Sequence, residues 1–159
     1  MDLIFRRECQ APLSVAQPDG VTFHLLSGPV AGLRVSPALL RRYGLRRFAK
    51  AILKLATPAR LLYCVVDADG EILHDGWLRL GRWSQFRVGP RDVVVGPVRT
   101  RQVARRHGLA TYGLTSAMKA MRRRGYTTFF IGTTEDNLAS RRLIARCGFG
   151  EPFARGSRT

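Results

Sequence analysis

The sequence predicts an α/β fold in which one central, mixed β-sheet is flanked by helices. Hydrophobic residues make up 45% of the 159 residues, as is typical of a globular chain. Short runs rich in β-branched and aromatic residues alternate with longer segments whose apolar residues recur at helical spacing. The predicted order is β-αα-β-β-β-α-β-α with a short tail, and the length indicates a single domain over residues 1–159.

The first half of the chain predicts strands on both sides of a helix pair. Apolar side chains recur at helical spacing from Ser36 to Ala56, and Gly44 divides this segment into two helices. The strand before it ends at a Ser27-Gly28-Pro29 turn, and a second turn at residues 67–70 closes a hairpin. The strands predicted in this half are residues 21–26, 61–66 and 71–80. Residues 2–9 could form a further short strand, but Arg6, Arg7 and Glu8 interrupt its pattern.

The second half predicts a loop and then two strand–helix pairs. Residues 81–91 form a loop or an irregular strand extension, and the β-branched run from Val93 to Thr100 forms the first strand. The following helix begins at Gly108 and ends at Gly125. The remaining strand covers residues 126–133, and a last helix capped by Asp136 or Asn137 ends near Cys147.

The start of the helix at Gly108 predicts a binding site for phosphate. The first N–H groups of a helix have no partner within the helix, and the helix dipole adds positive charge there. Gly108 lets a ligand approach the backbone closely, and Arg105 and Arg106 supply charge beside it. These features together favour a bound phosphate or pyrophosphate.

Two motifs give this site a family resemblance. Arg105-x-x-Gly108-x-Ala110 resembles a signature of the GCN5-related N-acetyltransferase superfamily. Asn137-Leu138-Ala139-Ser140, followed by Gly148-Phe149, is similar to a second block of the same superfamily. Together the motifs cover about residues 92–149. The resemblance implies a GNAT-like fold and acetyl-CoA as co-substrate.

The resemblance also implies where acetyl-CoA binds. The strand backbone at Val98, Arg99 and Thr100 would pair with the pantetheine arm, and the amides after Arg105 would hold the pyrophosphate. Asn137 would line the pantetheine end, although it could equally be a plain helix cap. The candidate cofactor-binding residues are Val98, Arg99, Thr100, Arg105, Arg106, His107, Gly108, Leu109, Ala110, Thr111, Asn137 and Ser140.

Amine acetylation needs a base, because an ammonium group has no lone pair for attack. His74 and Asp92 are the candidate catalytic residues, since His74 has an ordinary pKa near neutrality and Asp92 precedes the cofactor strand. Asp75 and His24 are further candidates. For the general acid, many relatives place a Tyr seven residues after the Asn, but this chain has Ile144 there. Another group or water would then protonate the leaving thiolate.

The end of the chain departs from the superfamily pattern. That fold usually closes with two strands after the Gly-Phe pair, but only ten residues follow Phe149. The tail has room for one short strand, within residues 151–154 at most. The final strand is therefore missing, or it is replaced by residues 2–9 or by a partner chain. An open sheet edge would favour a homodimer.

The net charge of +16 makes a polyanionic partner plausible: coenzyme A, nucleic acid or an anionic membrane surface. The excess of 24 Arg over 3 Lys indicates a GC-rich coding bias, which weakens this inference. A basic amphipathic helix can lie on a membrane, but an ordinary surface helix is the favoured interpretation here. The basic residues of the helix pair and of the segment directly after it are Arg41, Arg42, Arg46, Arg47, Lys50, Lys54 and Arg60.

Several features favour a cytoplasmic protein. No apolar run is long enough to span a bilayer, and the N-terminus does not resemble a signal peptide. Cys9, Cys64 and Cys147 are odd in number and lack metal-like spacing, so we expect buried, reduced thiols and no metal site.

These observations predict a bacterial, acetyl-CoA-dependent N-acetyltransferase that acts by direct attack in a ternary complex. The acceptor would be an amino sugar, another small amine or a protein amine. The pattern Asp92-x-x-x-Gly96-Pro97-x-x-Thr100 is similar to acyltransferase-like members found among bacterial surface-polysaccharide genes. The alternative is a catalytically degenerate basic module that binds nucleic acid or an anionic surface, although no nucleic-acid motif is present.

Overall fold

The computed structural model describes residues 2–9, 13–34, 36–81 and 88–156. Within these residues the chain forms a sheet of seven strands and five α-helices. The strands are β1 (Asp2–Glu8), β2 (Val21–Ser27), β3 (Arg60–Asp67), β4 (Ile72–Leu80), β5 (Asp92–Thr100), β6 (Thr128–Thr134) and β7 (Ala154–Gly156). The helices are α1 (Gly28–Arg34), α2 (Ser36–Tyr43), α3 (Leu45–Leu55), α4 (Leu109–Arg123) and α5 (Leu138–Arg146), with a short 3-10 helix at Gln102–Ala104.

The sheet is mixed, as the sequence predicts. Its strand order is β2-β3-β4-β5-β6-β1-β7, and β5 and β6 are its parallel neighbours. The other neighbouring strands pair antiparallel. The predicted α/β class and the predicted hairpin at residues 67–70 are therefore confirmed, whereas the homodimer stays a prediction. Most of the predicted loop 81–91, residues 82–87, lies outside the described part of the chain.

The N-terminal strand occupies an interior place in the sheet. All seven residues of β1 pair with β6, from Asp2 opposite Thr134 to Glu8 opposite Thr128. The short strand β7 pairs with the other side of β1. Residues 2–8 thus stand where the resemblance leads one to expect a strand from the end of the chain. The tail strand begins at Ala154, later than predicted, since Pro152 has no N–H to donate to a ladder.

Helices cover both faces of the sheet. Alternating residues of a strand point to opposite faces, and β3 shows this directly. Leu61 and Tyr63 pack with Met118 of α4 and Ile144 of α5. Leu62 and Cys64, the residues between and after them, belong instead to the cluster on α2 and α3. Each large apolar side chain buried this way contributes about 1.5–3 kcal/mol.

One helix, α1, was not predicted from the sequence. The pattern at Ser27-Gly28-Pro29 predicts a turn, but the chain passes directly from β2 into a helix of seven residues. Gly28 has a φ of +78°, which permits the abrupt change of direction, and proline suits the first turn of a helix. Gly32 lets α1 approach α3, since a Cβ there would lie 2.7 Å from Ile52 Cδ1. Two glycines and a proline in seven residues hide this helix from pattern analysis.

The predicted boundaries of the later elements agree with the structure. Gly108 precedes α4, Gly125 follows it, and Asn137 rather than Asp136 caps α5 through a bond from the Ser140 N–H to Asn137 Oδ1 of 3.0 Å. The three cysteines are buried and unpaired, as expected. Burial raises the pKa of Cys147 to about 11. Among the described residues, no helix is both long and apolar enough to cross a bilayer.

Candidate active site

A cleft lies where β5 and β6 separate. Their parallel pairing runs only from Asp92 opposite Thr128 to Val95 opposite Ile131. Both strands continue beyond this point, β5 to Thr100 and β6 to Thr134. A cavity of about 1250 Å³ lies between the diverging ends and extends to the start of α4.

A bulge in β5 accompanies the separation of the strands. Leu78 of β4 lies opposite Val95 and Gly76 lies opposite Val98, so β5 has two residues, Gly96 and Pro97, where β4 has one. Gly96 lies close to β4, since a Cβ there would be 3.1 Å from Trp77 Cβ. Pro97 has no N–H to donate toward β6. The Gly96-Pro97 pair therefore determines where the pairing of β5 with β6 ends.

Beyond the bulge, the backbone of β5 presents free polar groups to the cleft. The Arg101 N–H donates to the Leu73 carbonyl at 2.8 Å, which makes Arg99 and Asp75 the next hydrogen-bonded pair of the antiparallel ladder. The N–H and C=O groups of the intervening residues, Val98 and Thr100, consequently point toward the β6 side. Pairing with β6 has ended there. A ligand with an amide-containing arm could add to this edge like a strand.

The other end of the cleft is the start of α4. Gly108 precedes the helix with a φ of +72°, and a Cβ there would meet nothing within 4 Å. Arg106 also has a positive φ, +70°, which is uncommon for a residue with a side chain. Such turns can direct successive N–H groups into one concavity that binds anions. Both residues line the cavity, as do Arg105, Ala110 and Thr111.

The third side of the cleft is α5. Asn137 and Ser140 both line the cavity, and Asn137 also caps the helix. The helix-cap interpretation of Asn137 is confirmed, whereas its contact with pantetheine stays a prediction. Arg142 and Arg146, one turn apart on α5, line the cavity too and were not identified from the sequence.

The cavity lining is strongly basic. Five arginines contribute to it, and no Asp or Glu does among the described residues. The arginines are Arg79, Arg105, Arg106, Arg142 and Arg146. This lining can attract a ligand with several negative charges.

Three of the predicted cofactor-binding residues lie outside the described cavity lining. Arg99 is paired with β4 through its backbone, and its neighbours Val98 and Thr100 face the cleft instead. Leu109 is 5% exposed and packs in the core beneath α4, which leaves only its backbone N–H near the loop. His107 is exposed but does not contribute to the lining.

His74 is buried on β4, opposite Thr100 of β5. Its Nδ1 lies 2.8 Å from Thr100 Oγ1, and Thr100 lines the cavity. The other ring nitrogen, Nε2, has no hydrogen-bond partner among the described residues. Burial, with a smaller effect from the Arg42 charge, lowers the pKa of His74 to about 4. His74 is therefore a neutral group at neutral pH that contacts the site through Thr100.

Asp92 lies away from the described cavity lining. Its Oδ2 accepts a hydrogen bond from the Gly89 N–H at 2.7 Å, and its own N–H donates to the Gly89 carbonyl. It stands at the first residue of β5, whereas the cleft opens at the other end of that strand. This geometry favours a turn-forming role over the predicted catalytic one.

The remaining candidates have structural environments. Asp75 is 2% exposed and accepts hydrogen bonds from Arg42 and from the Tyr43 hydroxyl, which attaches α2 to β4. His24 lies on the edge strand β2, outside the described lining. Ile144 is fully buried in the core, so the position that carries a Tyr in many relatives supplies no hydroxyl here.

The fold and the cleft define a class of protein. A helix start flanked by two arginines, an unpaired strand edge and a long cleft between diverging strands suit a transferase that takes an acyl group from a nucleotide-linked thioester. The chain belongs to the acetyltransferase (GNAT) family, whose model matches residues 33–149. Family membership assigns residues 33–149 to an acetyltransferase (GNAT) domain.

Solved structures share this fold. A GCN5-related N-acetyltransferase from Sphaerobacter thermophilus has a TM-score of 0.65 and 17% identity, over 98% of this chain and 48% of that chain. An aminoglycoside antibiotic 6'-N-acetyltransferase from Acinetobacter baumannii has a TM-score of 0.66 and 15% identity, over 88% and 97%. AAC(6')-Iy, in complex with a bisubstrate analog, CoA-S-monomethyl-acetylneamine, has a TM-score of 0.64 and 15% identity, over 87% and 99%.

These comparisons differ in what they cover. The chain spans about half the length of the Sphaerobacter protein, whereas it corresponds to nearly the full length of the two aminoglycoside enzymes. At these low identities the likeness shows the fold. No curated protein matches the sequence significantly.

Proposed function

We propose that the domain transfers an acetyl group from acetyl-CoA to a primary amine by direct attack in a ternary complex. The single observation that carries this proposal is the cleft between β5 and β6. It combines an anion-binding helix start with an unpaired strand edge in one continuous cavity. The family assignment supports the same cofactor.

The pyrophosphate, the pantetheine arm and the thioester of acetyl-CoA each have a proposed place in the cleft. The amides between Arg105 and Thr111 would hold the pyrophosphate, with the two arginines of that loop neutralising its charge. The free backbone groups of Val98 and Thr100 would bond the pantetheine amides. Ser140 would line the opposite wall with Asn137. This arrangement would place the thioester near the bulge, where an amine can approach it.

The chemistry needs one proton to move. The free amine attacks the thioester carbonyl carbon, the C–S bond breaks, and an amide and a thiolate form. The proton that the nitrogen loses goes to the sulfur, so amine and thioester give amide and thiol. Because Ile144 is buried and no Tyr lines the described cavity, we propose that solvent water carries this proton.

His74 is better suited to positioning than to proton abstraction. An alkylammonium has an ordinary pKa near 10, so transfer of its proton to a histidine with a pKa of about 4 is uphill by about 8 kcal/mol. The contact between His74 and Thr100 instead fixes the side chain of Thr100 on the cofactor strand. The reactive amine would then be the fraction that is already neutral in solution.

The acceptor class remains that inferred from the sequence: an amino sugar, another small amine or a protein amine. Two relatives of the fold are named for aminoglycosides, which supports a small amine of sugar type. The buried, unpaired cysteines support the proposed location in a bacterial cytoplasm.

The rate of the reaction should depend on pH through the acceptor amine. With a primary amine and acetyl-CoA, kcat/KM should rise about tenfold per pH unit below the pKa of the amine. The reason is that the neutral fraction of the amine rises about tenfold per pH unit in that range. Thiol release and the mass of the acetylated product measure this. A His74→Gln variant should keep the same slope. A plateau in the wild-type enzyme that begins well below the amine pKa and is lost in His74→Gln would make His74 the base.

A second candidate function rests on the charge of +16: a catalytically inactive module that binds nucleic acid. Steeply salt-dependent binding of RNA, with no binding of acetyl-CoA, would support it over the enzyme.

A further inference from the structure

Arg79 lines the cavity and lies on β4, the antiparallel neighbour of β5. It is half-buried on β4 and lies opposite Val94 of β5. Along β4, side chains alternate between the two faces of the sheet. Arg79 consequently shares a face with Asp75, which bonds to α2, and lies on the opposite face from Leu78, which packs in the core beneath α4. The guanidinium therefore reaches the cavity from the side of α1, α2 and α3.

Two carboxylates on this side of the sheet, Asp75 and Glu71, are already paired with arginines. Asp75 is bonded to Arg42, with Nη2 to Oδ1 at 3.0 Å, and to the Tyr43 hydroxyl at 2.6 Å. Glu71 pairs with Arg101 at 3.1 Å and with a second arginine of α2. Arg79, in contrast, has no hydrogen-bond or ion-pair partner among the residues that the structure describes. A guanidinium that has no partner among the described residues, in a cavity whose described lining holds no carboxylate, can bind an anion.

Arg79 is too far from the start of α4 to serve the cofactor phosphates proposed there. Its partner Val94 lies six residues before Thr100 on β5, one of which is taken up by the bulge. At about 3.4 Å per residue this separates Arg79 from the Thr100 end of the strand by roughly 17–20 Å. Arg79 therefore stands at the end of the cleft where an acceptor would enter, whereas Arg105 and Arg106 stand at the phosphate end.

We propose that the acceptor is a primary amine that also carries an anionic group, a carboxylate or a phosphate, and that Arg79 binds this group. The inference rests on the proposed acetyl transfer and adds the substrate class. The planar guanidinium can donate two parallel hydrogen bonds to either anion. Its charge also lowers the pKa of an amine held close by, which increases the neutral fraction that can attack.

The same charge disfavours acceptors with several positive groups. An aminoglycoside carries several ammonium groups, and recognition of such a molecule calls for carboxylates at the site. The described lining offers arginines instead. Despite the shared fold, we expect this domain to discriminate against aminoglycosides.

Matched pairs of amines test this inference. One pair is an amino sugar and its phosphate monoester, and the other is an amino acid and its carboxamide. For wild type, kcat/KM should be about 10- to 100-fold higher for the anionic member of at least one pair, and the two pairs distinguish phosphate from carboxylate. Arg79→Gln should abolish this ratio. Arg79→Lys should retain part of it, since the charge remains but the planar fork is lost.

Arg91→Gln is the matched control, because Arg91 is exposed and lies outside the described lining. It should leave the ratio unchanged, and acetyl-CoA binding measured by calorimetry should be equal in all four proteins. Equal rates for both members of each pair, or a ratio that survives Arg79→Gln, would overturn the inference while acetyl transfer stands. Bound acetyl-CoA with no transfer to any of these amines would also overturn it. Failure to bind acetyl-CoA at all would overturn the proposed function itself.

Discussion

His74 illustrates how one residue can serve the site without touching a substrate. It is fully buried under α4, where a Cβ on Gly113 would lie 2.7 Å from His74 Cδ2. The glycine thus allows the helix to close over the imidazole ring. One ring nitrogen contacts Thr100 of the cofactor strand, and the other has no partner among the described residues. An uncharged ring is the form that this environment favours.

The stability of the protein should therefore depend on the protonation of His74. The folded-state pKa of about 4 lies below the ordinary value of 6.5, so between these pH values the unfolded chain binds a proton that the folded chain does not. The free energy of unfolding should fall by about 2–4 kcal/mol as the pH falls from about 6.5 to 4. Above pH 6.5 the contribution of His74 should no longer change with pH.

Urea denaturation between pH 4 and 8 measures this effect. His74→Gln serves as the reference, because carboxylate titration is common to both proteins. The difference in unfolding free energy between wild type and variant should change across this window. Two parallel curves would contradict a buried, neutral His74.

Arg106 and Gly108 show what a motif does and does not specify. Both have positive φ values, and both line the cavity. The sequence indicates Gly108 as the residue for a close approach, since glycine adopts this conformation readily. Nothing in the sequence predicts a positive φ for Arg106. The backbone there is set by the loop as a whole, at a cost of about 1–2 kcal/mol for a residue with a side chain.

At the scale of elements, β1 has an unusual importance for an N-terminal segment. It lies between β6 and β7 and contributes Leu3 and Phe5 to the main core and Ile4 to a smaller cluster on the other face. Because β6 forms one wall of the cleft, its other neighbour helps to fix that wall. A strand from the start of the chain thus supports a site built by the second half.

Truncating an inward-facing residue of β1 should destabilise the whole domain. Phe5 is 6% exposed in the main core, so Phe5→Ala should cost about 3–5 kcal/mol. Arg6, the next residue, is exposed and makes an ion pair with Glu8 at the surface, so Arg6→Ala should change the stability by less than about 0.5 kcal/mol. Chemical denaturation of both variants measures the difference. A similar, small effect for both would mean that β1 is a dispensable appendage.

The elements divide into those that local patterns predict and those that depend on distant contacts. The hairpin β3–β4, the division of α2 from α3 at Gly44, and the limits of α4 follow from turn residues and periodicity. The place of β1 in the sheet does not, because Arg6, Arg7 and Glu8 interrupt its alternation, and its partner is more than 120 residues away for most of its length. Local patterns therefore do not determine whether the final strand is missing, is replaced by residues 2–9 or is supplied by a partner chain.

At the scale of the whole molecule, the cleft connects the two faces of the sheet. Residues from both faces line it, for example Ile131 from the α4 side and Arg79 from the side of α2. A cofactor bound at the α4 end can therefore meet an acceptor that enters from the opposite face. The excess positive charge is present at both ends, which favours anionic ligands at each.

The site was predicted unevenly. The residues around Gly108 and Asn137 could be selected from the sequence because their motifs are contiguous, and the structure places both in the cavity lining. Arg79 could not, because it comes from a strand with no motif and only the register of β4 against β5 brings it to the cleft. For His74 and Asp92, residue type indicated chemistry, which stays a prediction, but the sequence did not predict the burial of His74 or the turn hydrogen bond of Asp92.

The binding of acetyl-CoA, measured as a shift in thermal unfolding, tests the assignment of the cleft most directly. At about one hundred times its dissociation constant the ligand should stabilise wild type by roughly 2.7 kcal/mol, several degrees for a domain of this size. Gly108→Asp, which places a carboxylate in the anion site, should lose the shift.

Gly44→Asp is the matched control. Gly44 also precedes a helix and has a φ of +71°, and a Cβ added there would meet nothing within 4 Å, but it lies outside the described lining. Gly44→Asp should lose about as much stability as Gly108→Asp does without ligand. It should keep the rise in unfolding temperature that acetyl-CoA causes in wild type. No shift in wild type, or an equal shift in both variants, would contradict the assignment of the cleft as the acetyl-CoA site.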